Sequence, residues 1–302
     1  MEMRRYKTVI ALLSGLAGLG LYNSVGEALG ASAGKPAASD WVQAHHTRVR
    51  LIAGQYLNDE KKLKLQAGIH IELDPGWKTY WRTPGGAGGV APYFDWQRSF
   101  NLKSAEVLFP APARIAGEDG VSIGYKGAVV FPVKIEAVDP GKPVQLALRL
   151  DYGVCKDICV PVQAALDISV DKVRQGRGSF GRVDAQLIER YLVKVPKQEA
   201  SSGADGPLLK SVQVNLQGAH PVLNVDAEFP SGIDGADLFV EAPDGLYVAL
   251  PTAKRLGETN VMRFTIDLSK GEDPALFRGK ELMMTLVSEH GQSVALWRVP
   301  LN

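Results

Sequence analysis

The sequence predicts an all-β chain built from two β-sandwiches that are joined by a short helix and a linker. Polar and apolar residues alternate over long stretches, of which Leu63–Leu73 is the clearest, and period-two alternation is typical of half-buried strands. Turn signals such as Pro75-Gly76 and Asp139-Pro140-Gly141 separate these stretches. No segment with helical periodicity intervenes before residue 173, which favours an antiparallel sandwich over an α/β fold.

The first sandwich is predicted over residues 44–172, after a flexible leader at residues 34–43. The glycine-rich run Pro84–Gly89 cannot form regular structure and is predicted to be a loop. Alternation predicts strands at His46–Leu51 and Leu63–Leu73, and further strands are predicted at Lys103–Phe109, Ala128–Ala137, Val144–Tyr152 and Val162–Val170.

Residues 173–207 are predicted to hold one helix and a linker. Apolar residues recur there at helical spacing, and the polar run Lys197–Pro207 is rich in small residues. Residues 208–302 return to strand patterns and have about the size of a second sandwich, which contains no cysteine. Its predicted strands are Val212–Val214, Leu238–Glu241, Val261–Leu268, Leu282–Val287 and Val294–Val299.

Residues 1–33 have the layout of a secretory signal peptide. Arg4, Arg5 and Lys7 precede an apolar run at Val9–Leu21, and Ala31-Ser32-Ala33 offers a cleavage site. The apolar run is shorter than the roughly 20 residues that a membrane-spanning helix needs. We therefore expect cleavage near Ala33 and an exported protein without stable membrane insertion.

Composition limits the classes of function. The formal net charge is +1 and no basic cluster is present, so neither nucleic acid nor an anionic membrane is an expected partner. The hydrophobic content of 45% and the charged content of 22% are ordinary for a globular protein.

The run DYGVCKDICVP contains Cys155 and Cys159, which are the two cysteines of the chain. They lie in a predicted hairpin-like connection between two strands, with Gly153 before the pair and Pro161 after it. Export permits a disulfide, but the stabilisation from a disulfide grows with loop length and this loop is very short. A structural disulfide, a copper(I) site and a redox pair are the three interpretations.

The metal interpretation is the weaker alternative. Two thiolates from Cys155 and Cys159 suit copper(I), a soft metal. The chain has 5 histidines, and the adjacent pair His45 and His46 would point to opposite faces of a strand. A closed zinc site would need four ligands. We therefore expect no resident metal and no cofactor, and keep copper(I) binding as the alternative.

Two nearby groups are candidates for capping the pair or for proton transfer. The aromatic run Pro75–Arg82 contains Tyr80 and Trp81, either of which could shield the cysteine loop or simply pack in a core. Glu118 and Asp119 are either a solvated loop or a carboxyl pair that exchanges a proton with a thiol.

Three runs resemble a known family: PGWKTYWRTPGGAG, SIGYKGAVVFPV and LDYGVCKDICVP. Together they resemble the N-terminal periplasmic domain of the disulfide reductase DsbD. The similarity is greatest to the branch that includes ScsB, which is linked to copper tolerance. The resemblance covers Ala44–Val170.

This resemblance implies an immunoglobulin-like domain in the periplasm, with a second domain of the same kind in some ScsB-like proteins. It implies a thiol–disulfide oxidoreductase in which Cys159 attacks and Cys155 resolves. A cap loop shields the pair in the family, and Glu118 and Asp119 fall at about its place. The family's cap aromatic is absent, since Gly120 follows.

The resemblance also implies partners. A membrane electron donor of the DsbD, ScsB or CcdA type would reduce the pair, and a periplasmic thioredoxin-like protein or isomerase would accept the electrons. The sequence contains neither the family's membrane helices nor its thioredoxin-like domain, so the donor is expected to be a separate protein. A copper-tolerance protein, or an adaptor with a merely structural disulfide, is the alternative.

Overall fold

The computed structural model describes residues 38–57, 63–118, 120–170, 182–199 and 205–301. The predicted signal peptide, the first part of the predicted leader and Asp119 lie outside the described residues. The same holds for residues 171–172 of the predicted first sandwich and for residues 173–181 and 200–204 of the predicted helix and linker region.

Eleven strands form the first pair of sheets. They are β1 (Val42–Ala44), β2 (Thr47–Leu57), β3 (Leu63–Leu73), β4 (Lys78–Tyr80), β5 (Tyr93–Asp95), β6 (Leu102–Val107), β7 (Ala113–Gly117), β8 (Gly120–Lys126), β9 (Ala128–Ala137), β10 (Val144–Cys155) and β11 (Cys159–Val170).

One sheet has the order β1-β2-β3-β9-β6, and the other has the order β11-β10-β4-β8-β7, with β5 also paired to β10. The pairings are antiparallel, as the alternation predicts. The inward residues of the two sheets form one hydrophobic core, in which Leu51, Ile69, Phe131, Leu146 and Leu150 are at most 1% exposed. In this topology β10 is an interior strand and β11 is an edge strand, which determines the geometry of the cysteine pair.

The helix α1 (Arg182–Leu192) lies on the outer face of the five-stranded sheet. Its Ile188 is fully buried against Ile52 and Val130. Asp184 in its first turn accepts a hydrogen bond from Arg50 over 3.0 Å. The predicted short helix is therefore confirmed.

Eight further strands form two four-stranded sheets with the orders β12-β19-β18-β15 and β13-β14-β17-β16. They enclose a separate core around Val225, Phe264, Ile266, Met284 and Leu286. The strands are β12 (Lys197–Gln198), β13 (Leu208–Asn215), β14 (Val222–Glu228), β15 (Asp237–Glu241), β16 (Thr252–Arg255), β17 (Val261–Asp267), β18 (Glu281–Ser288) and β19 (Gly291–Arg298). The all-β fold class is thus confirmed.

The predicted bounds of the leader and of the linker differ from the structure. The leader was predicted to extend to residue 43, but Ala38 bridges to Ile52 and Val42–Ala44 pair with β2. The linker was predicted to extend to residue 207, but Lys197–Gln198 pair in parallel with β19. In both cases a short segment is ordered by a distant strand, and its own sequence carries no alternating pattern to reveal this.

In the part of the chain that the structure describes, no helix has the length and apolar character needed to cross a membrane.

Candidate functional site

The two cysteines lie at the turn end of the β10–β11 hairpin. Cys155 and Cys159 are opposite each other as the last residue pair of that hairpin, with their Cα atoms 4.2 Å apart. Their sulfur atoms form a disulfide. The three residues between them make a tight loop in which the Lys156 amide donates to the Ile158 carbonyl over 3.2 Å. The predicted hairpin connection is confirmed, and the cysteines are its terminal strand residues.

The two cysteines differ in exposure because their strands have different neighbours. Cys155 belongs to the interior strand β10, pairs with Lys78 of β4 on its other side, and is 1% exposed. Cys159 belongs to the edge strand β11 and is exposed to solvent. An incoming sulfur atom can therefore reach Cys159 far more easily than Cys155.

The hydroxyl group of Tyr80 lies against both sulfur atoms. Its oxygen is 2.6 Å from Cys155 Sγ and 3.0 Å from Cys159 Sγ. Burial raises the pKa of this phenol, and a hydrogen bond with the Ser122 hydroxyl opposes that rise. The phenol thus stays protonated at neutral pH and can donate a hydrogen bond to whichever sulfur becomes a thiolate.

The glycine-rich run Pro84–Gly89, which we call the cover segment, lies over Tyr80. A Cβ atom on Gly89 would lie 2.3 Å from Tyr80 Cε1, and Gly89 has a φ of +142°, so no other residue fits there without rearrangement. On the other edge of the ring, a Cβ on Gly153 would lie 3.1 Å from Tyr80 Cε2. The tyrosine ring is therefore held between two close backbone approaches.

A cavity of about 210 Å³ adjoins the disulfide and is lined by charges of both signs. Lys78 and Lys156 contribute ammonium groups, and Glu118 and Asp157 contribute carboxylates. Nearby cations favour a thiolate, and a carboxyl group can take up or return the thiol proton. The cavity thus contains the group types that thiol–disulfide exchange requires.

The structure brings together some of the residues that the sequence analysis singled out. Tyr80 and Glu118 line the same cavity as the cysteines, with Glu118 in the turn that follows β7. Trp81 does not reach the cavity: it is 1% exposed in the core, 5.8 Å from the ring of Phe239 between centroids. Neighbouring side chains of an extended segment point to opposite sides, so Tyr80 and Trp81 could not both face the disulfide.

Sequence reasoning did not identify three contributors to the site: Lys78, Ser122 and the cover segment. Lys78 and Ser122 reach the cavity through the pairings β4–β10 and β4–β8, which join distant parts of the chain. The density of glycine in the cover segment was a usable signal, since glycine is needed where backbone approaches another group closely.

The described residues contain no cluster of three or more histidine, cysteine and acidic side chains arranged to hold a metal ion. The alternative copper(I) ligands Cys155 and Cys159 are joined to each other in this structure. A copper(I) site would need both as thiolates, so it could form only after reduction.

Fold and site together define an immunoglobulin-like β-sandwich that carries a disulfide at the end of a hairpin, with a second β-sandwich following it. Residues 53–170 match the family described as thiol:disulfide interchange protein DsbD, N-terminal. Residues 194–295 match a domain family of unknown function, DUF8393. The resemblance to the N-terminal domain of the DsbD/ScsB family is confirmed, and this is a family of thiol–disulfide exchange proteins.

A solved structure has the same fold. It is the N-terminal periplasmic domain of ScsB from Proteus mirabilis, which is 20% identical in sequence, with a TM-score of 0.63. The similarity covers 88% of this chain and 100% of that chain. A search of curated proteins finds no match.

Proposed function

We propose that the protein is a periplasmic thiol–disulfide oxidoreductase that relays electrons through Cys155 and Cys159. It takes electrons from a membrane donor of the DsbD, ScsB or CcdA type and passes them to thioredoxin-like or isomerase acceptors. The family resemblance and the disulfide support this role.

In the forward direction the reduced pair transfers two electrons to an acceptor disulfide. The Cys159 thiolate attacks one acceptor sulfur, a mixed disulfide forms, and the other acceptor sulfur leaves as a thiolate. The Cys155 thiolate then attacks Cys159 Sγ, which closes the Cys155–Cys159 disulfide and releases the second acceptor thiolate. The two thiol protons of the reduced pair go to solvent or to Glu118, and the two acceptor thiolates take up protons from solvent.

The same steps run in reverse when the donor reloads the pair. A donor thiolate attacks Cys159, and Cys155 leaves as a thiolate. The Tyr80 hydroxyl, 2.6 Å from Cys155 Sγ, is placed to stabilise the negative charge on that leaving sulfur. A second donor thiolate then attacks the donor sulfur of the mixed disulfide and frees the Cys159 thiolate.

The single observation that carries the proposal is the unequal exposure of the two sulfurs. Cys155 is 1% exposed and lies beneath Tyr80, whereas Cys159 is exposed beside a charged cavity. A disulfide that served only to close a hairpin would not need a buried hydroxyl against its sulfurs. This arrangement supports separate roles for the two cysteines, with Cys159 meeting the partner and Cys155 resolving.

Trapping the mixed disulfide tests this assignment. The Cys155→Ser variant keeps Cys159 and should form a stable mixed disulfide with a thioredoxin-like protein whose second active-site cysteine is replaced by serine and whose remaining cysteine carries a small-thiol leaving group, visible on a non-reducing gel. The matched Cys159→Ser variant keeps only the buried thiol and should trap at least about tenfold less, because reactivity follows exposure and thiolate character.

A redox titration of the wild-type chain provides the second arm. A reduction potential below about −300 mV, with no trapping by either variant, would identify a structural disulfide and refute the relay. Equal trapping by both variants would refute the assignment of roles.

A further inference from the structure

The second sandwich forms hydrogen bonds with the two residues that precede the cover segment. The Glu241 carboxylate accepts hydrogen bonds from Arg82 Nε and Nη2 over 2.8 and 2.6 Å, and one from the Thr83 hydroxyl over 2.8 Å. The Glu241 carboxylate is 15% exposed and the Arg82 side chain is 31% exposed, so the bidentate pair is only partly open to water. Glu241 thereby fixes the two residues that directly precede the cover segment.

A second contact lies within the cover segment itself. A Cβ atom placed on Gly86 would lie 2.4 Å from the hydroxyl oxygen of Tyr247, which means that this phenol touches the Gly86 backbone. On its other side, the Tyr247 ring lies against Gly271, where a Cβ would be 3.1 Å from Cδ1. The Tyr247 ring thus stands between its own sandwich and the cover segment.

The far end of the cover segment reaches the disulfide. Ala87 lines the cavity beside the cysteines, and Gly89 packs on the ring of Tyr80, whose hydroxyl contacts both sulfurs. The six residues of the cover segment therefore connect two contacts with the second sandwich to the ring that shields Cys155.

We propose that the second sandwich controls access to the buried sulfur by holding the cover segment closed. Glu241 and Tyr247 are the positioning residues: they touch neither sulfur, and they act through the side chains of Arg82 and Thr83 and the backbone of Gly86. Loosening either contact lets the segment move off Tyr80 and exposes Cys155. This inference rests on the proposed function only in that the Cys155–Cys159 pair is the reactive group.

The alkylation rate of Cys155 measures directly how well the cover segment shields this thiol from solvent. In the full chain carrying Cys159→Ser, we would follow the reaction of Cys155 with iodoacetamide by mass spectrometry under native conditions. Adding Glu241→Gln, which weakens hydrogen bonds, or Tyr247→Ala, which removes a packing contact, should raise the rate by about threefold to tenfold, the change in open population expected when the closed state loses about the free energy of one net hydrogen bond.

The structure offers a matched control on the same strand. Asp237, also in β15, forms an equally bidentate pair with Arg114, at 2.6 Å for both contacts, and is 18% exposed. The Asp237→Asn variant weakens the same contact between the sandwiches without touching residues 82–89, so it should leave the rate within about twofold. A rise as large as that of Glu241→Gln would mean that general loosening is responsible, and it would overturn the proposal.

A second single-cysteine variant distinguishes movement of the cover segment from partial unfolding. In the chain carrying Cys155→Ser, the exposed Cys159 should react at the same rate with and without Glu241→Gln. Unchanged Cys155 rates in both positioning variants would refute the inference, as would a parallel rise at Cys159. These measurements use no partner protein, so they test the cover segment even if the trapping experiment disproves the electron relay.

Discussion

Replacing Tyr80 with phenylalanine tests the link between geometry and redox chemistry most directly. The change deletes one oxygen atom that lies 2.6 Å from Cys155 Sγ and 3.0 Å from Cys159 Sγ, and it keeps the ring that the cover segment packs on. A hydrogen bond to a charged group contributes about 1.5–3 kcal/mol. Since one pKa unit corresponds to about 1.4 kcal/mol, the pKa of the Cys155 thiol should rise by about one to two units.

The assay is the pH dependence of thiolate absorbance in the reduced protein with Cys159→Ser, with and without Tyr80→Phe. A higher thiol pKa makes Cys155 a poorer leaving group. In a chain that keeps both cysteines, a small dithiol should therefore reduce the disulfide more slowly with Tyr80→Phe than without it. Tyr152→Phe is the matched control, because Tyr152 is equally buried in β10 but its hydroxyl faces Thr47 at 3.3 Å. If Tyr80→Phe shifts the thiol pKa no more than Tyr152→Phe does, the hydroxyl does not stabilise the thiolate and the reasoning is wrong.

Two further predictions concern stability. Gly124→Ala would put a Cβ atom 2.0 Å from the Thr79 carbonyl oxygen, so it should lower the free energy of unfolding, measured in urea, by about 2–4 kcal/mol. The control Gly141→Ala should lower it by less than about 1 kcal/mol. Equal losses in the two variants would contradict this prediction. Burial lowers the pKa of His70 from 6.5 to about 4, despite the opposing attraction of Glu72. The unfolded chain therefore protonates His70 at a higher pH than the folded chain does. The free energy of unfolding should be unaffected by this group above about pH 6.5, and it should fall by up to about 3 kcal/mol as the pH drops to about 4. His70→Gln should flatten that part of the stability profile, and an unchanged slope would show that other groups titrate there.

The elements that sequence alone predicts well are those with a long alternating pattern. Leu63–Leu73 and Ala128–Ala137 form strands with the predicted bounds: the first alternates over eleven residues, and the second is a compact apolar run flanked by turns. The hairpin that carries the cysteines was equally visible, because two such patterns flank it.

The elements that sequence reasoning missed depend on distant partners. The strand β4 has three residues, Lys78–Tyr80, and is a strand only because β8 and β10 pair with it on either side. In β8 four consecutive buried residues, from Ser122 to Tyr125, replace the alternation that identifies a half-buried strand. These two strands bring Lys78 and Ser122 to the cavity around the disulfide, which is why both residues escaped prediction. The contact between Arg82 and Glu241 joins residues 159 positions apart, and no local pattern signals it.

The unequal exposure of the two cysteines follows from sheet order more than from the loop between them. The residues of a hairpin-end pair are equivalent by local geometry, so the sequence CKDIC does not determine which sulfur is buried. The sheet order β11-β10-β4 does, because it covers Cys155 with a further strand and leaves Cys159 at an edge. Substitutions at Lys156 or Asp157 should therefore change the thiol pKa and the rate without exchanging the roles of the two sulfurs. Such an exchange would require moving β4, and with it Tyr80, to the other side of the hairpin.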